Sequence, residues 1–232
     1  MCEYSSTDDE KYMRRAIELA KKGLGWTNPN PMVGAVIVKD GKIIGEGYHK
    51  KYGELHAETS ALNNCTKSPE GATIYVTLEP CCHHGKQPPC TEAIIKAGIK
   101  RVVIGSLDPN PLVSGKGMQI LREHNIQVDN KLVCNRECID MNYVFFHYIK
   151  EKLPYVIVKY AQTLDGKIAT HNGLSKWITG EAARENVHMD RHRYSAIMVG
   201  INTVLKDDPM LNCRSKAIEN PHQPVRIVCD TR

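Results

Sequence analysis

The chain has 232 residues, of which 41% are hydrophobic and 25% charged, and its formal net charge is +5. This composition is ordinary for a globular protein with a buried core, and no apolar run is long enough to span a bilayer, so we expect no membrane contact. Lys and Arg are dispersed along the chain, which favours small anionic ligands over nucleic acid. The acidic N-terminal stretch lacks the apolar segment of a signal peptide, so we expect a cytoplasmic protein.

The first predicted elements are a helix and a hairpin. Residues Thr7 to Glu10 have the capping-box pattern, and apolar residues then recur at helical spacing up to Gly23. Two strand-like runs, 33–38 and 42–45, flank Asp40-Gly41, a dipeptide suited to the positive φ angles of a tight turn. The sequence therefore predicts a helix followed by two antiparallel strands.

Helices and strands alternate after the hairpin. This alternation predicts an α/β sandwich whose later strands run parallel, with a site at the carboxyl ends of those strands. A helix-like segment, 137–150, closes this part of the chain. The predicted helices between hairpin and closing segment are 56–64, 91–98 and 117–124, and the predicted strands are 73–78 and 101–105.

The pattern restarts beyond residue 150 with a strand-like run at 155–158, and another strand-like run, 225–228, lies near residue 232. We therefore predict a domain boundary near residue 150. The first domain would comprise residues 1–150 and the second residues 151–232.

Nine cysteines are an odd number in a chain too large to need disulfides, which favours a reducing compartment and thiols available for a metal. His56 starts a predicted helix, Cys81 follows a predicted strand, and Cys90 directly precedes the next helix. Three soft or borderline ligands with an open fourth position are typical of a catalytic zinc, which lowers the pKa of water towards about 7. Glu58 fits a proton shuttle, because H-x-E followed by P-C is the pattern of zinc-dependent nucleobase deaminases.

The second thiol ligand is less directly indicated by the motif. The generic P-C-x-x-C pattern would place it at position 84, where His84 stands, so Cys82 and Cys90 are the alternatives. Side chains of adjacent residues point in different directions, which makes joint ligation by Cys81 and Cys82 sterically poor. Cys90 is therefore the better candidate.

Three motifs together resemble the bifunctional deaminase/reductase family of riboflavin biosynthesis. They are H-A-E at 56–58, L-E-P-C-C-H-H-G-K-Q-P-P-C at 78–90, and D-P-N-P at 108–111. The resemblance covers essentially the whole chain. It implies a cytidine-deaminase-like α/β/α sandwich followed by an incomplete dihydrofolate-reductase-like α/β domain.

The resemblance also assigns roles in the first domain. It implies that the zinc ligands are His56, Cys81 and Cys90, with Glu58 as the proton shuttle. Turn chemistry is an equally good account of the asparagines among the implied substrate contacts, since they lie beside prolines. The residues implied to contact a diaminopyrimidine with a ribosylamino phosphate are Asn30, His83, Lys86, Asp108 and Asn110.

The second segment resembles the start of an NADPH-dependent reductase over 159–169, 175–179 and 199–214. Without the resemblance, surface arginines and a core tryptophan are the simpler interpretation. The family's reductase continues well beyond residue 232, so this chain is either a fragment or lacks reductase activity. The resemblance implies cofactor contacts at Ala161, Trp177, Thr203 and Asp207, and substrate contacts at Ser175, Arg191, Leu211 and Arg214.

These observations predict hydrolytic deamination as the primary activity. Water adds at the ring carbon that bears the exocyclic amine, Glu58 moves the proton, and ammonia leaves. The full-length protein would also reduce the ribosyl group with NADPH. The expected ligand is a small phosphorylated pyrimidine rather than nucleic acid, and a homo-oligomer is compatible with the sequence.

Three alternatives stay open. They are a deaminase whose reductase segment is non-functional, a deaminase of nucleosides or tRNA, and a non-catalytic zinc module. A tRNA deaminase would favour a tight P-C-x-x-C and a basic recognition face, and a structural module would hold the metal with four protein ligands.

Overall fold

The computed structural model describes residues 6–85, 87–111, 113–129 and 131–231, and the side chains of residues 6 and 7 are not part of this description. The chain forms two compact units, one ending at Tyr155 and one beginning at Val156. Within the described residues, every helix is too short or too polar to cross a membrane.

The first unit contains a mixed sheet and its covering helices. The strands are β1 (Gly34–Lys39), β2 (Lys42–Tyr48), β3 (Thr73–Val76), β4 (Arg101–Ile104) and β5 (Gln127–Val128). The helices are α1 (Ser6–Lys21), α2 (Ala57–Asn63), α3 (Cys90–Lys96), α4 (Lys116–Glu123), α5 (Asn135–Met141) and α6 (Tyr143–Glu151).

The strand order in this sheet is β2-β1-β3-β4-β5. Strand β1 is antiparallel to both β2 and β3, whereas β3, β4 and β5 run parallel. Asp40 and Gly41 connect β1 to β2 with φ angles of 51° and 70°, as a tight hairpin turn requires. The predicted hairpin and the predicted parallel strands are thus confirmed.

Helices cover both faces of the sheet because its strands are apolar on both faces. In β3, Ile74 and Val76 pack into one core cluster with apolar residues of α2, α3 and α4. Tyr75, between them, belongs to the opposite cluster with residues of α1 and α5. Successive side chains of a strand point to opposite faces, so this alternation gives the predicted three-layer sandwich.

The boundaries of two predicted helices differ from expectation. The segment 137–150 was predicted as one helix but forms α5 and α6, separated at Asn142. The buried Asn142 side chain accepts a hydrogen bond from Met32 N–H and donates one to Met32 O, both at 2.8 Å. Helix α1 begins at Ser6, and the predicted capping side chain of Thr7 lies outside the described side chains.

The second unit contains a pair of parallel strands, β6 and β7. The strand predicted at 225–228 is confirmed, but the strand predicted at 155–158 is wrong. Within the described part of the chain, the backbone at 155–158 has no ladder partner, and a strand requires one. The elements are α7 (Glu181–Arg193), β6 (Ala196–Gly200), α8 (Ile201–Asp207) and β7 (Val225–Cys229).

Candidate active site

Three metal-binding side chains meet where β3, α2 and α3 converge in the first unit. The Nδ1 atom of His56 lies 3.5 Å from the Sγ atom of Cys81 and 3.3 Å from that of Cys90. One ligand atom from each residue lies within 4.8 Å of the other two. His56 directly precedes α2, Cys90 is the first residue of α3, and Cys81 lies in the loop after β3.

The chemistry of this group fits zinc. One imidazole nitrogen and two sulfurs are ligands that zinc prefers, and three of them leave a fourth position for water or substrate. The backbone N–H of Cys90 donates to Cys81 Sγ over 3.3 Å. Hydrogen bonding from the Cys90 side chain, followed by that from His56, lowers the pKa of Cys81 to about 4. Cys81 is therefore held as the thiolate that a metal requires.

The neighbouring thiol and imidazole lie apart from this group. Among the described residues, the group contains Cys90 and not Cys82. Burial raises the pKa of the Cys82 thiol, and the hydrogen bond with Cys81 raises the pKa of Cys90, so the two thiols are distinguished by their positions and not by their pKa values. His84 is exposed, and its Nε2 atom lies 3.3 Å from a carboxylate oxygen of Glu92.

Glu58 lies in the first turn of α2 and is only 4% exposed. Burial, with a contribution from the negative charge of Cys81, raises the pKa of Glu58 to about 7. A carboxyl group with a pKa near neutrality can accept and release protons efficiently at physiological pH. Its environment thus suits an acid/base residue.

His56, Cys81 and Glu58 line a cavity of about 330 Å³, whereas Cys90 is buried and is not among its lining residues. All the lining residues belong to the first unit. The structure also brings most of the predicted substrate contacts to this cavity, while Lys86 lies outside the described residues. These lining residues are Asn30, His83, Asp108 and Asn110.

The sequence interpretation missed His49, a buried residue that follows β2 and lines the same cavity. Its Nδ1 atom lies 3.0 Å from the carbonyl oxygen of Leu55, which can only accept, so Nδ1 carries the proton. Its Nε2 atom then accepts from the Nδ2 atom of Asn30 at 3.2 Å. This bond fixes the orientation of the Asn30 amide at the cavity wall.

Asp108 and Asn110 form a local turn at the cavity edge. The backbone N–H of Asn110 donates to Asp108 Oδ1 over 2.8 Å, so the turn chemistry considered from the sequence is present. Burial raises the pKa of Asp108. Because both residues also line the cavity, turn formation and ligand contact are compatible here.

Helix α6 supplies an apolar part of the cavity lining that the sequence interpretation also missed. Phe145 and Ile149 are one turn apart on this helix, and both line the cavity. Their spacing indicates a common helix face, but the sequence alone gives no signal that this face meets the metal-binding residues.

In the second unit, the structure brings together three of the four predicted substrate residues. Arg191 donates from Nη1 to Asn212 O over 3.0 Å, and its Nε atom is buried with no partner among the described residues. Arg214 donates its backbone N–H to His188 Nδ1 over 3.1 Å. Burial and the positive charge of Arg214 lower the pKa of Arg191. Leu211, the third of these residues, is buried and directly precedes Asn212.

The remaining predicted residues of this unit are spread over separate segments. Trp177 is 71% exposed, so the interpretation of a core tryptophan is wrong, and the Arg184 guanidinium lies 4.5 Å from its ring centre. Thr203 and Asp207 are exposed one turn apart on α8. Ser175 is exposed in a loop and Ala161 is half-buried. In the described part of the chain, the four predicted cofactor residues, Ala161, Trp177, Thr203 and Asp207, do not by themselves enclose a dinucleotide.

Two family models match the chain in the order of its units. Residues 6–106 match the cytidine and deoxycytidylate deaminase zinc-binding region, and residues 154–232 match the RibD C-terminal domain. The chain is 59% identical over 229 residues to the riboflavin biosynthesis protein RibD of Actinobacillus pleuropneumoniae, covering 99% of this chain and 60% of that protein. Over nearly its whole length, the chain is thus similar to RibD proteins.

Solved structures of RibD proteins have the same fold. The diaminohydroxyphosphoribosylaminopyrimidine deaminase/5-amino-6-(5-phosphoribosylamino)uracil reductase of Thermotoga maritima is 52% identical, with a TM-score of 0.91 over 98% of this chain and 64% of that one. RibD of Acinetobacter baumannii is 47% identical, with a TM-score of 0.92 over 98% of this chain and 65% of that one. The expected deaminase-like and reductase-like architecture is therefore confirmed.

The similarity to RibD proteins also agrees with the predicted cofactors, zinc for the deaminase region and NADPH for the reductase part. The chain spans about 60% of the length of three curated RibD relatives that it matches.

Proposed function

We propose that the first unit catalyses the zinc-dependent hydrolytic deamination of diaminohydroxyphosphoribosylaminopyrimidine. The observation that carries this proposal is the position of buried Glu58 in the same cavity as His56 and Cys81, which form a group of three potential zinc ligands with Cys90. The related protein of Thermotoga maritima is described as a deaminase of this compound. The products would be ammonia and the corresponding aminouracil.

The residues of the chain divide the chemistry between metal binding and proton transfer. Zinc, when held by His56, Cys81 and Cys90, would supply the Lewis acidity that makes water a stronger acid. Glu58 accepts the proton that water loses as its oxygen bonds to the ring carbon bearing the amine. Glu58 then gives that proton to the adjacent ring nitrogen. The remaining proton of the added hydroxyl group passes through Glu58 to the amine, so that the C–N bond breaks, a carbonyl forms and ammonia leaves.

The other cavity residues orient the substrate. Because Asn30 donates to His49 through Nδ2, its Oδ1 atom is the part of the amide that can accept a hydrogen bond from the substrate. Asp108 and Asn110 add polar groups at the cavity edge. We assign the phosphate to Lys86 on the resemblance, since a lysine is a compact cationic partner for phosphate.

Three ligands rather than four favour this function over a purely structural zinc module. In the described residues, the group of potential ligands consists of His56, Cys81 and Cys90, and two of them, His56 and Cys81, line a cavity. A structural site would be closed by a fourth protein ligand. An open position next to an acid/base residue is the arrangement that catalysis needs.

The deaminase proposal is tested by ammonia release from the diaminopyrimidine substrate. We expect the purified 232-residue chain to release ammonia only when loaded with zinc, to lose the activity with a chelator and to regain it when zinc is restored. Cytidine and dCMP serve as competing substrates. No release by the zinc-loaded chain, or faster release from either competitor, would contradict the proposal.

We also propose that the complete protein reduces the ribosyl group with NADPH through the second unit. The match to the RibD C-terminal domain and the paired Arg191 and Arg214, which suit a phosphate, support this proposal. A protein extended to the length of its relatives is expected to oxidise NADPH in the presence of the deaminated product. Absence of that oxidation would contradict the bifunctional interpretation.

A further inference from the structure

We propose that Glu79 is a positioning residue for substrate binding. Its buried carboxylate accepts hydrogen bonds from the segment 108–117, which carries Asp108 and Asn110. These bonds hold that segment next to residues 79–81, which include Cys81. The inference rests on the proposed deaminase function, because it assigns Asp108 and Asn110 to the substrate. Glu79 lines the cavity, and its described side-chain hydrogen bonds are all to backbone N–H groups.

The Glu79 side chain is 3% exposed and accepts only from backbone donors among the described contacts. Its Oε2 atom accepts from Gly115 N–H at 2.9 Å and from Asp108 N–H at 3.5 Å. Its Oε1 atom accepts from Gly117 N–H at 3.1 Å and from Met118 N–H at 3.4 Å. One carboxylate thus bonds both ends of the segment.

The position calls for a carboxylate rather than an amide. Helix α4 begins at Lys116, and Gly115 before it has no side chain to cap the first N–H groups. Glu79 supplies two acceptor oxygens and a negative charge at this helix N-terminus. A glutamine would present an NH₂ group to one pair of backbone N–H donors, and its single oxygen could accept from the other pair only.

The same residue is attached to the metal-binding segment. Glu79 N–H donates to Ser106 O over 2.9 Å, and Pro80 and Cys81 follow directly in the chain. Gly117 packs so closely that an added Cβ atom would lie 2.3 Å from Pro80 O. The contacts of Glu79 and Gly117 therefore set the position of the Asp108 turn relative to the cavity.

Two substitutions separate this role from a general contribution to stability. Glu79→Gln replaces one of the two acceptor oxygens by an NH₂ group. Gly117→Ala keeps both oxygens but forces the start of α4 away from Pro80 through a steric clash. Arg101→Met is the control, because Arg101 pairs with Asp9 and Asp129 and is absent from the cavity lining. We expect the control to lower the melting temperature without changing substrate binding.

The readouts are zinc content, kcat and KM for ammonia release, and calorimetric binding of the substrate in a Glu58→Gln background that blocks turnover. We expect Glu79→Gln and Gly117→Ala to raise KM and Kd about tenfold or more, since lost hydrogen bonds misplace polar cavity groups. Zinc content should stay at that of the unsubstituted chain and kcat within about threefold.

Unchanged KM and Kd in the active chain, with only a lowered melting temperature, would overturn the inference and leave the proposed function intact. Loss of zinc in parallel with binding would also overturn it, because Glu79 would then act through the metal site. If Glu79→Gln does not fold, Gly117→Ala decides between these results. No ammonia release by the unsubstituted chain would overturn the proposed function and this inference with it.

Discussion

The two units differ in how their strands are buried. All four residues of β3 are buried, whereas all five residues of β7 are exposed. Strand β3 lies inside a five-stranded sheet with helices on both faces, and β7 pairs with β6 in a two-stranded sheet. The described second unit therefore buries far less apolar surface per strand, and a two-stranded sheet contributes little stability by itself.

This difference extends to the predicted functional residues. In the first unit, His56, Cys81, Cys90 and Glu58 are anchored at the ends of elements that pack on a core, which holds side chains in place for chemistry. In the second unit, Trp177 is exposed, and so are Thr203 and Asp207 on α8. We expect the deaminase reaction to depend on the first unit alone.

The largest expected effect is loss of the metal. Cys90→Ala removes a ligand from the group of three, so we expect zinc content to fall to near zero and ammonia release to disappear. Cys82→Ala is the matched control and should retain both. Zinc analysis by atomic spectrometry checks this, and loss of zinc in Cys82→Ala but not in Cys90→Ala would refute the ligand assignment.

A smaller effect is expected at the substrate side of the cavity. Asn30→Ala removes the amide that His49 orients, so KM should rise about tenfold, as expected for one lost hydrogen bond and an unpaired partner. Steady-state kinetics checks this. The control Asn63→Ala lies on the exposed side of α2 and should leave KM unchanged. An unaltered KM in Asn30→Ala would show that the amide does not contact the substrate.

Stability of the first unit should depend on a partly buried charge network. The Arg101 guanidinium bonds Asp9 at 2.9 and 2.8 Å and also pairs with Asp129. Arg101→Met leaves two carboxylates without their cation, which we expect to cost about 2–4 kcal/mol of unfolding free energy. Urea denaturation of the 232-residue chain measures it. A change below about 0.5 kcal/mol would mean that solvent screens these charges fully.

The smallest effect on deamination should come from the second unit. Arg214→Ala changes a residue beyond Val156, and the lining of the deaminase cavity lies entirely in the first unit. We expect kcat/KM for ammonia release to stay within about twofold, which is less than the tenfold loss expected of a substrate contact. A tenfold loss in the kinetic assay would show that the two units share the site.

The sequence was sufficient to predict elements whose signals are local. The alternation of short apolar runs and helical periods predicted the sandwich, and Asp40-Gly41 predicted its hairpin. For the metal site, the motif indicated His56 and Cys81, and the preference for Cys90 over Cys82 rested on side-chain directions and on the resemblance to a known family. The structure brings ligand atoms of His56, Cys81 and Cys90 within 4.8 Å of one another.

What the sequence did not predict depends on contacts between distant segments. The break at Asn142 arises from hydrogen bonds to Met32, which is 110 residues away. His49 becomes relevant because it meets Asn30 across the cavity wall, and Glu79 because the backbone of a later loop converges on it. Periodicity carries no information on such pairings, since they are decided when the layers pack.

The measurement that tests the central claim most directly is paired zinc analysis and ammonia release for Glu58→Gln. The account predicts that this chain binds as much zinc as the unsubstituted chain while kcat falls about 10²- to 10⁴-fold, the usual contribution of a general acid/base. Undiminished ammonia release with zinc retained would contradict the assignment of Glu58 as the proton shuttle in this cavity.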